Sequence, residues 1–143
     1  MGNKKYGNEY RLTLLCVDSY EDSVLKGRYY NPSRKGGVQF RSAVELLLSA
    51  EEMLEEMQLP QAFSRSRTFA DSSPGSLEMP ASDWAQTGKL ATFQIRVLFR
   101  QNASWQGIVR WLDGKKEESF RSVLELIILI DSALKENLRK QDI

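Results

Sequence analysis

The chain has no histidine, one cysteine and four prolines among its 143 residues. Without histidine it loses the commonest general base and the commonest zinc ligand. A Ser-His-Asp or Cys-His nucleophile is excluded within the chain. Cys16 has no partner for an internal disulfide, and its place in the apolar stretch LTLLCV makes it a small core residue. Long apolar runs are missing too. The longest, Leu126 to Ile130, is far too short to span a bilayer. The opening MGNKKYGNEY lacks the apolar centre of a signal peptide, so a cytoplasmic location is the expectation. From these absences we expect no enzyme, no cofactor, no metal, no membrane and no small-molecule partner.

A net charge of only +1 hides a sorting along the chain. Residues 1–41 carry eight Lys/Arg against four Asp/Glu. Residues 42–58 carry five Glu and no base. Residues 88–116 carry six Lys/Arg and one Asp. Basic strands and an acidic first helix follow from that distribution.

What the sequence does have is a phrase written twice. FRSAVELLL starts at Phe40 and FRSVLELII at Phe120, with Gly27 and Gly107 thirteen residues before each Phe. Upstream, RLTLLCV (11–17) answers FQIRVLF (93–99), with a slip in the intervening loop. Shared anchors in shared order indicate an internal repeat. Phe93, Ile95, Val97 and Phe99 alternate with polar neighbours, as Leu12, Leu14 and Cys16 do, which is the period of a half-buried strand. VLKGRYYN and WQGIVRWL read as second strands, and NPSRKGG and LDGKK as turns. A short third strand runs into each Phe. Ser42-x-x-Glu45 and Ser122-x-x-Glu125 are capping boxes, each opening a helix.

The fold expected is α+β: two tandem β-β-β-α units, each an antiparallel sheet with one packed helix. The first unit covers 1–57 and the second 89–143. Between them lies a linker, 58–88. In it LPQAFSRSRTF offers a possible extra strand, and the Ser-, Pro- and Gly-containing stretch from Asp71 to Ser82 reads as a loop.

Two surfaces are candidates for function. Helix one carries a polar stripe at Glu45, Ser49, Glu52 and Glu56; its counterpart reads Glu125, Leu129, Ser132 and Glu136, with Ile128 beside it. A helix apolar nearly all round in its first half is covered on more than one side. The cover is either the other unit or a partner; on the second reading Leu124, Ile128 and Leu129 mark an interface with a protein partner or a second copy. The alternative is nucleic acid. Arg96, Arg100, Arg110, Lys115 and Lys116, with Trp105 and Trp111, would supply phosphate contacts and stacking platforms. Arg28, Arg34 and Lys35, with Tyr29 and Tyr30, are the counterparts in the first unit. The acids near the turns, Asp18, Glu21, Asp22, Asp113, Glu117 and Glu118, read as solvated.

Three resemblances bear on these surfaces. The order β-β-β-α with Gly107-x-Val109-x-Trp111 and Phe120-x-Ser122-x-x-Glu125 loosely resembles the AP2/integrase-type DNA-binding fold. It implies a sheet laid in the major groove. Arg96-x-x-x-Arg100 with Asn102-x-Ser104-x-x-Gly107 is similar to the signatures of PilZ domains, and implies an arginine pair clamping a cyclic dinucleotide. The whole chain resembles an uncharacterised family of small bacterial two-repeat proteins, which implies a bacterial cytoplasmic setting and adds no site residue.

Overall fold

The computed structural model describes residues 8–58, 81–101 and 104–141. A 3-10 turn, Asn8–Arg11, leads into β1 (Leu12–Glu21), β2 (Val24–Asn31), β3 (Arg34–Phe40) and α1 (Ala43–Met57). A four-residue helix, α2 (Ala81–Trp84), precedes β4 (Ala91–Gln101), β5 (Ser104–Trp111), β6 (Lys116–Phe120) and α3 (Val123–Gln141). LPQAFSRSRTF, with its possible extra strand, and residues 71–80 of the expected loop lie outside the described residues.

The fold is mixed α+β, but the two separate sheets that the sequence predicts do not form. All six strands make one antiparallel sheet in the order β3-β2-β1-β4-β5-β6. A three-stranded sheet ending in an apolar strand leaves a row of N–H and C=O groups unpaired. Here the two such edges satisfy each other: β1 pairs with β4 from Leu12↔Arg96 to Val17↔Ala91. In that ladder Leu14 faces Gln94. These two positions are eighty apart, the spacing of the two FRS phrases, so an approximate two-fold axis runs through the pair.

The strands keep this spacing throughout. Gly27 pairs with Val17 and Phe40; Gly107 pairs with Val97 and Phe120. The strands therefore match with no slip, and Val17 corresponds to Val97. That corrects the matching of 11–17 with 93–99. Each first strand has a register shift just past this point, between Val17 and Ser19 and between Val97 and Phe99. A bulge reverses which side chains point inward. Phe99 accordingly leaves the face of Phe93, Ile95 and Val97 and is 48% exposed. The same irregularity explains the two glycines. A Cβ on Gly27 would lie 2.0 Å from the Cys16 carbonyl oxygen, and one on Gly107 1.9 Å from that of Arg96.

The repeated phrase caps the helices as expected, with one difference. The Ser42 and Ser122 hydroxyls each accept from the N–H three residues on, both at 3.0 Å. Glu45 and Glu125 reach back one residue further than a capping box requires. Each accepts at 2.7 Å from the backbone N–H of the preceding arginine, Arg41 or Arg121. The arginine guanidinium first and then that contact lower the pKa of Glu45; for Glu125 the backbone contact leads and the guanidinium follows.

Both helices cover one face of the sheet. Leu46, Ala50, Met53 and Leu54 of α1, and Leu126, Ile130, Ala133 and Leu134 of α3, pack on Leu15, Tyr29, Phe40, Phe93, Val109 and Phe120 in a single core. On the other face Leu14, Cys16 and Tyr30 form a smaller cluster against Trp84 and Leu112. This two-sided burial is why Leu14 to Val17 are all buried and do not alternate.

Gly27→Ala and Gly107→Ala are each expected to destabilise the fold by ~2 kcal/mol or more, because backbone carbonyls cannot yield. Gly36→Ala is the control. Its Cβ meets nothing within 4 Å, and only its φ of +86° opposes the change, for a cost of about 1 kcal/mol. Urea unfolding of the three variants measures the difference.

Candidate contact surface

The basic and aromatic strand residues do not form one surface. Trp105 and Trp111 point into the helix-covered side, 4% and 7% exposed, so neither offers a solvent-exposed stacking platform on the strands. Arg100 lies beyond the β4 bulge and turns to the same side. Its guanidinium meets Glu51 at 2.7 Å and Glu55 at 3.0 Å. Arg96, which pairs with Leu12 and Ile108, stands on the opposite face. The two arginines of the PilZ-like pattern therefore cannot clamp one phosphate from one side. Arg110 and Arg28 share the open face with Arg96. Arg28 is held there by Asp18 at 2.7 and 2.8 Å, the Tyr30 hydroxyl at 2.9 Å and the Thr87 carbonyl at 2.8 Å. Arg34 bonds Glu56 at 2.6 Å and Lys116 bonds Glu136 at 3.4 Å. Lys35 and Lys115 are exposed at the hairpin turns. Burial first, and then the charge of nearby Arg96, lower the pKa of Arg11.

The acids do not assemble into a reactive pair. Asp18 is taken up by Arg28 and the Lys89 N–H, and Asp113 accepts from the Thr92 N–H at 2.8 Å. Glu21, Asp22, Glu117 and Glu118 are exposed. No group of three His, Cys, Asp or Glu among the described residues could hold a metal ion. None of the described helices is long and apolar enough to cross a membrane. Burial pushes the Cys16 thiol up to about 11, which leaves it protonated and a poor nucleophile near neutral pH.

The outer face of the helices is different. Leu124 is 68% exposed and Ile128 55%. Their counterparts eighty residues earlier, Val44 and Leu48, are 64% and 67% exposed. Each helix thus presents an i, i+4 apolar pair in its first two turns. Leu47 and Ile127, next to two of these residues, line one small void between the helices and the sheet at Ile95. The exposed pairs therefore flank a common seam. Leu129 does not belong with them, because it is half-buried and packs on the core. The sequence reading missed Val44 and Leu48 by following the stripe Glu45-Ser49-Glu52-Glu56. Most of that stripe lies on the flank of α1, and the outward line runs through Val44, Leu48 and Glu55, meeting the stripe at Glu52.

Hydrogen bonds across the two halves hold the helices in place. Glu51 of α1 accepts from Arg100 at 2.7 Å and from the Trp105 indole N–H at 2.8 Å. At the matching place on α3, Asp131 accepts from the Tyr20 hydroxyl at 2.5 Å. That bond is the leading cause of the lowered Asp131 pKa. The outer strands, by contrast, are poor templates for another chain. Exposed charges line β6, and the positive φ of Gly36 and Gly37 breaks the edge of β3.

Glu51→Ala removes two hydrogen bonds from largely buried partners and is expected to cost about 2 kcal/mol. Glu52→Ala, one residue on and exposed, should change stability by less than ~0.5 kcal/mol. Thermal or urea unfolding of the pair gives the answer.

Comparison of the chain with protein-family models, curated proteins and solved structures found no match.

Proposed function

We propose that the chain is a non-enzymatic binding protein built from two diverged β-β-β-α units, acting through protein–protein contact at the outer face of α1 and α3. The observation that carries this reading is the doubled exposure: Val44 and Leu48 on one helix, Leu124 and Ile128 on the other. Isolated exposed apolar residues are ordinary, whereas four flanking one seam form a patch that a partner covers. The resemblance to small bacterial two-repeat proteins supports a bacterial cytoplasmic setting.

The partner the charges favour is a second copy. Beyond its apolar pair, α1 continues outward through Glu52 and Glu55, the latter also paired with Arg100 at 3.0 Å, and carries five Glu and no base. The matching positions of α3 are Ser132 and Lys135, the latter also paired with Asp131 at 3.1 Å, and Arg139 follows one turn later. A symmetric dimer that lays α1 on the partner's α3 sets carboxylates against ammonium and guanidinium groups on both sides of the apolar centre. Laying α1 on α1 would oppose glutamates instead.

Light scattering should give twice the 16.4 kDa chain mass at concentrations near ~100 µM, the range of a modest interface. Leu48→Glu with Ile128→Glu should restore the monomer. Glu52→Lys should weaken the dimer, and adding Arg139→Glu should recover it. A monomeric parent at that concentration, or a dimer indifferent to Leu48→Glu with Ile128→Glu, defeats the proposal. Leu129→Glu is not an equivalent test, because it strikes the core.

A second reading, nucleic-acid binding, retains one specific support: Arg96 and Arg110 stand on the open face of the sheet, Arg110 within 3.8 Å of Glu117. It predicts binding that weakens steeply with salt and is lost in Arg96→Glu with Arg110→Glu. Gel-shift affinities unchanged by that double substitution eliminate it.

A further inference from the structure

The two halves fill the flank between helix and outer strands with different side chains. In the first half Tyr29 and Met53 occupy that ground with no exposed surface, and the Tyr29 hydroxyl bonds Ser49 at 2.7 Å. The matching positions of the second half are Val109, Ala133 and Leu129, all without polar side-chain atoms and two of them much smaller. What they leave is a cleft of about 220 Å³ between the sheet and α3, half open to solvent at its polar rim of Lys116, Glu118, Ser132 and Glu136. A volume of roughly 150 Å³ is enough to admit a benzene ring. Here Phe93 and Trp111 form aromatic walls, where the first half has Thr13 and Asn31.

The mouth of this chamber is charged. Lys116 lies over the Trp111 ring at 5.7 Å and bonds Glu136 at 3.4 Å. The remaining charged group at the rim is the exposed carboxylate of Glu118. An apolar, aromatic-walled chamber with an acidic mouth selects a small amphiphile: a ring or branched chain inside and a cationic head outside.

We propose that this chamber is a binding site for a small aromatic or branched primary amine, the ring seated among Phe93, Val109, Trp111 and Ala133 and the ammonium group at Glu118. The site opens on the flank of α3 away from the seam between the helices, with Ser132 bordering both the cleft and the outer line of α3. Neither proposal requires the other.

The test is a two-dimensional NMR titration of the full chain with benzylamine, using benzyl alcohol and benzoate as comparators. The Trp111 indole N–H is buried and has no hydrogen-bond partner among the described residues. Its signal is a local reporter of the chamber wall. Benzylamine should give saturable shifts at Trp111 and Ala133 with a dissociation constant on the order of 1 mM, as befits so small a ligand. Benzoate should bind at least ~10-fold more weakly, since it brings like charge to the rim. Ala133→Met, which installs the side chain of the first half, should abolish the shifts. Glu118→Gln, a surface change that leaves the core intact, should weaken benzylamine several-fold and leave benzyl alcohol unchanged. Shifts that never saturate overturn the site, as do shifts centred elsewhere or shifts that survive Ala133→Met in a folded protein. Benzoate binding as well as benzylamine, or indifference of benzylamine to Glu118→Gln, overturns the amine.

Discussion

Everything else in the molecule depends on the ladder between β1 and β4. Its pairs run from Leu12↔Arg96 to Val17↔Ala91 and join two hairpin-based halves into one sheet. Without it, two apolar strands would each show an unpaired edge to water, and each half would bury little of its surface. The ladder also fixes the symmetry. Because Leu14 meets Gln94, the strand order reads the same from either side, and both helices fall on one face. The outer edges are left to β3 and β6, whose glycines and charges discourage further pairing.

On this frame the halves solve the same local problems with different chemistry. A helix carboxylate is pinned by the opposite half in both: Glu51 by Arg100 and Trp105, Asp131 by Tyr20. A cation at the start of the third strand meets the helix in both, as Arg34 with Glu56 and Lys116 with Glu136. The flank under the helix is where they part. Tyr29, Ser49 and Met53 close it in the first half, and Val109, Leu129 and Ala133 leave it hollow in the second. Outward, both helices keep the same apolar pair. The exposed apolar pair thus recurs at matched positions of both halves, and the hollow opens in one of them.

Local signals in the sequence were legible because their causes are local. The serine caps, the strand VLKGRYYN and the helix starts follow from short-range spacing. Gly27 and Gly107 were visible as anchors, but their cause was not, since it lies in the carbonyls of a neighbouring strand. The single sheet was hidden because the β1–β4 pairing links residues about eighty apart and leaves no periodicity of its own. The bulges defeated simple alternation: one extra residue after Val97 sends Phe99 outward and Arg100 inward. That shift separates Arg96 from Arg100 and breaks up the basic, aromatic surface expected of the strands. Leu124 and Ile128 are exposed and Leu129 is half-buried against the core, while the exposure of Val44 and Leu48 is masked in the sequence by the stripe of glutamates on the flank.

Native-state hydrogen exchange across the β1–β4 ladder tests the account most directly. The ladder amides within residues 12–17 and 91–96 should exchange only through global unfolding, with the same opening free energy and denaturant slope as those between β1 and β2 and between β4 and β5. Ladder amides that open at much lower free energy, while both hairpins stay protected, would mean two sheets in loose contact and would contradict the single sheet on which the rest stands.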